Sequence, residues 1–318
     1  MKKISYVIPC YRSEKTIEGV VAEIKDTMSA MADKYDYEII LVNDCSPDGT
    51  YGVIKNLAQS EDKITGVDLA RNFGQHAAVM AGLRFTDGDI VVCLDDDGQT
   101  PASEVGLLLD ELINNDRDVV YAKYSNKKHS PFRNFGSWVN EKMTQFLLGK
   151  PKELYVSSYF AARRFVVDEM IKYEKNYPYL IGLVLRTTKR ISNVDIRHRE
   201  REVGSSGYTL SKLLNLWMNG FTAFSVTPLR ISTISGSLLA VAGFIYGIYT
   251  IIRHFIILAR GIYVPMGYAS LMSALMFVGG MILLMLGMAG EYIGRMYIGM
   301  NNAPQYVIRS TTKDEKQI

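Results

Sequence analysis

Three consecutive carboxylates, Asp95-Asp96-Asp97, followed by Gly98-Gln99-Thr100-Pro101, are the residues of this chain best suited to chemistry. Side by side they repel one another unless a cation or a positive ligand compensates. Hard oxygen donors of this kind suit Mg²⁺ or Mn²⁺ carrying a diphosphate. The competing reading is an acidic turn that merely caps a helix. Two further features favour the chemical one: the turn Pro9-Cys10-Tyr11, and Asp44 within Asn43-Asp44-Cys45-Ser46-Pro47-Asp48-Gly49-Thr50. Together they suit a nucleoside diphosphate, with Tyr11 against the base, Asp44 accepting hydrogen bonds from it, and a cation bridging Asp97 to the phosphates as a Lewis acid. The basic residues Lys123, Arg133 and Arg201 suit a second phosphate, and an acceptor that is already an anion needs no general base.

These residues need a scaffold that gathers them, and the apolar pattern predicts one. Ile90-Val91-Val92-Cys93-Leu94 is short, β-branched and bounded by turn residues, as a buried parallel strand should be. It places the acidic triplet at a strand's carboxyl end, the edge where open α/β sheets bind ligands. Ser5–Ile8, Glu38–Val42, Ile64–Leu69 and Asp118–Ala122 read as further strands, with a possible partner at Val156–Ala161 and another at Ile191–Ile196. Amphipathic stripes such as Ile17, Val20, Val21, Ile24 and Met28 predict helices between them, which makes right-handed βαβ units and puts Asp44 on the same rim. Helices are also expected over Asn134–Leu148, Arg163–Ile171 and Pro178–Thr188.

The chain has 318 residues, and its net charge of +3 gives no electrostatic argument for a nucleic-acid partner. Its mean hydropathy of +0.03 hides an asymmetry. Residues 1–230 carry charge throughout, whereas 231–290 are nearly all apolar. Ile231–Ile252 and Tyr268–Met288 are each long enough to cross a bilayer, which takes about 20 apolar residues. Gly279, Gly280 and Gly287 in the second span are expected to allow close helix packing. Leu210, Leu213, Leu214, Trp217, Met218 and Phe221 form the apolar face of a helix, either one lying in the membrane interface or an ordinary packing helix. The N-terminus lacks an apolar stretch of secretory length, so the first 230 residues are expected in the cytoplasm. Cys10, Cys45 and Cys93 have no metal-ligand spacing and read as buried, reduced thiols. The tail from Thr311 is polar and is expected to be disordered.

In order and spacing, Pro9-x-Tyr11, Val42-Asn43-Asp44-x-Ser46-x-Asp48-Gly49-Thr50, Arg71-Asn72-Phe73-Gly74, Asp95-x-Asp97-x-Gln99-x-Pro101, Arg201-x-x-Gly204-x-Ser206-x-Tyr208 and Phe224-Ser225-x-x-Pro228-Leu229-Arg230 resemble the motifs of the family 2 glycosyltransferases of the polyprenyl-phosphate type. The resemblance covers residues 4 to about 309. It implies an α/β GT-A fold, Rossmann-like with a mostly parallel sheet, over 1–208, an amphipathic juxtamembrane segment at 209–230, two transmembrane helices within 231–290 and a cytoplasmic segment at 291–318. It implies that Pro9, Tyr11, Asp44, Arg71, Asp95 and Asp96 bind the nucleotide sugar and that Asp95, Asp97 and Gln99 hold Mg²⁺ or Mn²⁺. Lys123, Arg133, Arg201, Ser206 and Tyr208 would meet the lipid phosphate, with Asp97 and Arg201 as catalytic residues.

The implied reaction is inverting: a sugar moves from a nucleotide-diphosphate sugar, with UDP the expected nucleotide, to undecaprenyl phosphate. The implied setting is the cytoplasmic face of the inner membrane, with a homo-oligomer, a tetramer among its forms, as the assembly. A transferase using a finished glycolipid or polymer as acceptor, and a silent membrane scaffold, are the alternatives. Two departures from the family pattern stand out. Arg12-Ser13 replaces Asn-Glu after the Pro-x-Tyr turn, leaving Glu14 as the adjacent carboxylate, and Ser158-Tyr159-Phe160-Ala161-Ala162 replaces Gly-Asp-Phe-Arg-Leu. The second puts the donor sugar in doubt, because the missing Asp would contact a sugar hydroxyl or position a loop.

Overall fold

The computed structural model describes residues 1–124, 145, 149–197, 199, 227–260, 267–300 and 304–315. They fall into two compact units, Met1–Asn215 with Asn302–Ile318, and Leu216–Asn301. The first unit is built on an eight-stranded sheet of order β7-β5-β6-β4-β1-β2-β3-β8. Its strands are β1 (Lys2–Cys10), β2 (Tyr35–Asn43), β3 (Ile64–Leu69), β4 (Ile90–Cys93), β5 (Val119–Tyr124), β6 (Phe160–Arg163), β7 (Ile191–Ile196) and β8 (Ile308–Thr311). The ladders β1/β2, β1/β4, β2/β3 and β5/β7 are parallel. Strand β6 runs antiparallel between β4 and β5, and β8 runs antiparallel on β3.

Helices α1 (Ile17–Ala30), α2 (Thr50–Ser60), α3 (Gln75–Leu83), α4 (Val105–Asn114), α5 (Arg164–Ile171) and α6 (Leu180–Thr187) cover the sheet. The predicted stripe of α1 is the face it buries, with Ile17, Val20, Val21, Ile24 and Met28 all inaccessible or nearly so. Helix α3 lies unusually close to the strands, because a Cβ on Gly82 would come within 2.5 Å of Val7 Cγ1 and 2.9 Å of Val42 Cγ2. Gly82 therefore lets the carboxyl-terminal turn of this helix pack directly on β1 and β2. Cys10 and Cys93 are buried and Cys45 half-buried, all three as free thiols.

Three expectations need correction. The strand foreseen at Val156–Ala161 begins only at Phe160. The polar tail is ordered through residue 315: β8 pairs with β3, and a short helix α9 (Thr312–Glu315) follows. Its stabilisation is polar, which is why no apolar pattern announced it. Gly66 N donates to Thr312 Oγ1 at 2.9 Å, and Tyr51 Oη lies 3.0 Å from Ser310 Oγ. The helices expected at Asn134–Leu148 and across Leu210–Phe221 lie outside the described residues, apart from isolated positions.

The second unit contains α7 (Thr227–Ala259) and α8 (Tyr268–Met300), each of 33 residues. Both are long and apolar enough to cross a membrane, over Leu229–Ile257 and Ala274–Gly294. They meet where Ser232 Oγ lies 3.2 Å from Met288 Sδ, and where a Cβ on Gly236 would stand 3.2 Å from Met285 Cε. The expected close packing at Gly279, Gly280 and Gly287 is not seen, since a Cβ there would meet no described atom within 4 Å. Gly236 on α7 does admit a neighbour in this hairpin.

Candidate functional site

Because β1, β2 and β4 are parallel neighbours, their carboxyl ends share one edge, and the chain leaves that edge at Tyr11, Asp44 and Asp95. Strands β4 and β5 both pair with β6, where Cys93 and Tyr121 face Phe160. Lys123 therefore lies on the same rim as Asp95, exposed, and opposite Asp195 in the β5/β7 ladder. The structure thus gathers Pro9, Tyr11, Asp44, Asp95, Asp96, Asp97, Gln99 and Lys123 at one edge. Arg71 stands exposed on the turn before α3, its guanidinium 4.6 Å from the centroid of the Phe73 ring. Arg133, Arg201, Ser206 and Tyr208 lie outside the described residues.

The two turns from β1 and β2 brace each other. Arg12 N donates to Ser46 Oγ at 2.8 Å, and Ser13 N to Thr50 Oγ1 at 3.0 Å. Both turns hold a non-glycine residue in the left-handed region, Arg12 at φ 59° and Cys45 at φ 50°. Such conformations cost energy and persist where surrounding bonds over-determine them. Glu14, the nearest substitute for the missing family carboxylate, accepts from Gly49 N at 3.2 Å and so reinforces this brace.

Asp44 is 4 % exposed, and each of its oxygens takes a backbone proton: Oδ1 from Phe73 N at 2.7 Å, Oδ2 from Gly74 N at 2.9 Å. Gly74, at φ +88°, makes the turn into α3 that brings these amides round. Burial pushes the Asp44 carboxyl above its ordinary range, opposed by the same amides. Its position in the sequence suggested a group facing a nucleotide base. Its observed bonds clasp the amino terminus of α3 to the end of β2, leaving each oxygen further acceptor capacity.

Asp95 is gripped from two sides, with Gln75 Nε2 donating to Oδ1 at 2.9 Å and Ser158 Oγ donating to Oδ2. Burial, and then the neighbouring charges of Asp97 and Asp96, push its carboxyl up to about 6 against the pull of these donors. Asp96 accepts from Tyr11 N at 2.9 Å and is likewise raised by burial. Gln99 N closes a turn onto Asp97 Oδ1 at 3.1 Å, with Gly98 at φ +72° permitting the bend. From the far side, Arg199 N donates to Gln99 O at 3.3 Å while its guanidinium clasps Glu23 at 2.8 and 2.9 Å.

Gln75, Ser158 and Tyr159 belong to the site although their chemistry did not single them out. Tyr159 is fully buried and its hydroxyl donates to Pro101 O at 3.2 Å, so it anchors the acidic loop from beneath. Of the two roles considered for the Asp it replaces, this is the loop-positioning one. The rim as a whole offers carboxylates, a neutral amide and flanking cations, a donor set suited to a phosphorylated ligand and a hard divalent ion.

Comparison with known proteins agrees with this geometry. The profile of glycosyl transferase family 2 matches residues 5–171, and that of the GtrB C-terminal hairpin matches residues 227–296. An undecaprenyl-phosphate 4-deoxy-4-formamido-L-arabinose transferase of Aeromonas hydrophila is 33 % identical, over 100 % of this chain and 97 % of its own. The protein of that name from Proteus mirabilis is 32 % identical, over 99 % and 96 %. Among solved structures, glucosyl-3-phosphoglycerate synthase from Mycobacterium tuberculosis, crystallised with Mn²⁺, uridine diphosphate and glucosyl-3-phosphoglycerate, superposes with a TM-score of 0.53. It is 21 % identical and covers 70 % of this chain and 80 % of that one, a likeness of fold.

Proposed function

This chain belongs to glycosyl transferase family 2, an enzyme family, and from that premise we propose that it moves a sugar from a nucleoside-diphosphate donor to undecaprenyl phosphate. The observation that carries the reading is the convergence of Tyr11, Asp44 and Asp95–Asp97 on one sheet edge, in a chain that also holds two apolar helices of membrane-crossing length.

In this reading Pro9, Tyr11 and Asp44 frame the base and ribose, Asp95 and Asp96 face the diphosphate-sugar region, and Arg71 flanks it. Of the residues expected to hold a cation, Asp97 and Gln99 fit best, because one tight turn carries both. Asp95, with a donor on each oxygen, keeps further acceptor positions, which hydroxyls of the donor can take. Among the described residues no three His, Cys, Asp or Glu side chains converge as a metal cage. That fits Mg²⁺ or Mn²⁺, which take ligands from phosphate and water besides one or two carboxylates. Such an ion, when bound, supplies a Lewis acid for the leaving diphosphate.

The protein's own groups do the rest. Lys123, with Arg133 and Arg201, draws in the lipid phosphate, and Ser206 and Tyr208 complete its binding. A phosphate oxygen attacks the anomeric carbon, the bond to the nucleotide breaks on the opposite face, and the sugar inverts. Residues 1–208 work at the cytoplasmic face of the inner membrane, with 209–230 along the interface, the spans within 231–290 as anchor and 291–318 returning to the cytoplasm. The active assembly is a homo-oligomer.

The test uses the purified full-length protein, undecaprenyl phosphate, Mg²⁺ or Mn²⁺ and a panel of UDP- and GDP-sugars, with the lipid extract analysed by mass. One donor should yield a lipid-linked monosaccharide. Product on a neutral glycolipid but none on the lipid phosphate would reassign the acceptor.

A further inference from the structure

The two donors on Asp95 come from distant parts of the chain, α3 and the approach to β6, and each is anchored in turn. Gln75 opens α3 directly after the Phe73 and Gly74 amides that Asp44 holds at 2.7 and 2.9 Å. Ser158 lies between Ser157, whose hydroxyl bridges the carbonyls of Ala122 and Tyr159 at 2.8 Å each, and Tyr159, bonded to Pro101 O. Gln75 is exposed, so its side chain contributes little to packing. What the arrangement does accomplish is orientation. A carboxylate offers about four acceptor positions, and a donor fixed on each oxygen sets the plane in which the others point. Ser158 also stands where the family pattern has glycine, so the hydroxyl is a feature of this chain against that pattern.

We propose that Gln75 and Ser158 are positioning residues, which fix the Asp95 carboxylate so that its remaining lone pairs accept hydroxyls of the bound nucleotide sugar and set the donor's orientation. This rests on the nucleotide-sugar reading above. The hydroxyl at 158 then makes donor recognition in this chain differ from that of relatives with glycine there.

The experiment compares wild type with Ser158→Ala, Ser158→Thr and Gln75→Leu in the full-length protein. Five readouts are taken: kcat, KM for donor, KM for undecaprenyl phosphate, melting temperature, and calorimetric affinity for the best-binding nucleotide sugar of the panel with Mn²⁺. Losing one hydrogen bond to a charged group should raise donor KM and Kd about tenfold in Ser158→Ala and Gln75→Leu. Acceptor KM and kcat should stay within about threefold, melting temperature within about 2 °C, and Ser158→Thr should restore donor affinity. Unchanged donor affinity in both variants overturns the proposal. So does a general loss, in which melting temperature and both KM values suffer alike and threonine gives no rescue. If wild type makes no glycolipid from any donor, the proposed function fails, while the affinity comparison still decides the positioning role. If no nucleotide sugar binds wild type, both fall.

Discussion

At the amino end of the sheet Glu38, 8 % exposed, accepts from Ser5 Oγ at 2.6 Å, from Asp87 N at 2.9 Å and from the Lys3 ammonium at 3.0 Å. Ser5 in turn accepts from Gly88 N at 2.9 Å, and a Cβ on Gly88 would sit 2.8 Å from Lys3 O, so backbone and charge interlock tightly there. At the carboxyl end Asp95, Asp96 and Asp97 adjoin, and the hydrogen-bond donors described for Asp95 and Asp96 are all neutral: Gln75, Ser158 and the Tyr11 amide. The first arrangement brings its own cation and is complete as folded. In the second, burial and then the neighbouring charges of Asp97 and Asp96 raise Asp95, and a positive group arriving with a ligand would relieve it. One sheet thus uses similar residues as scaffold at one edge and, in the proposed function, as binding site at the other.

The comparison breaks most visibly at Asp97. Asp97→Ala should lower kcat at least about a thousandfold, the worth of several kcal/mol of metal-borne charge stabilisation, and leave the melting temperature unchanged. Unaltered turnover would remove the metal role. Glu38→Ala should do the reverse, costing about 2–4 kcal/mol of stability by stranding buried donors. Activity per folded molecule should stay within about twofold, checked by thermal melting beside kinetics. Asp44→Asn tests the boundary between the two behaviours, since Asp44 serves the site by clasping backbone. It should lose about 1–2 kcal/mol through its mismatched amides and raise donor KM through the shifted Gln75.

The last test is a pH dependence at His76, which packs edge-on against Tyr179 with ring centroids 5.7 Å apart. Burial lowers its pKa to about 4 in the folded chain, against an ordinary value of 6.5. As pH falls through that window the unfolded chain takes up the proton first, so stability present above about pH 6.5 drains away, by up to about 1.4 kcal/mol per unit. His76→Phe keeps the ring contact and should flatten this slope in melting curves between pH 7 and 5. An unchanged slope would place the acid sensitivity elsewhere.

Most of the sheet and its rim was legible because buried parallel strands read as apolar runs ending in turns, and acids after such runs must gather at one edge. Neutral donors leave no such trace. Gln75 and Ser158 are ordinary polar residues until the fold brings both to Asp95, 20 and 63 positions away. The tyrosine at 159 was visible as a departure, but only its burial under Pro101 showed which role it fills. Strand β8 escaped notice because its lead-in and the following helix are fastened by Gln305, Ser310 and Thr312 through hydrogen bonds, not by an alternating apolar pattern.

That last strand has a consequence for biosynthesis. The stretch Leu216–Asn301 separates β8 in sequence from every other strand of the sheet it completes. At about 5–20 residues per second, the ribosome needs on the order of ten seconds to translate the two apolar helices before the closing strand exists. During that interval β3 presents an unpaired edge, the kind that recruits stray partners. The eight-stranded sheet is completed only after Thr227–Met300 has been translated, so a chain cut short within that hairpin would leave β3 without its antiparallel partner.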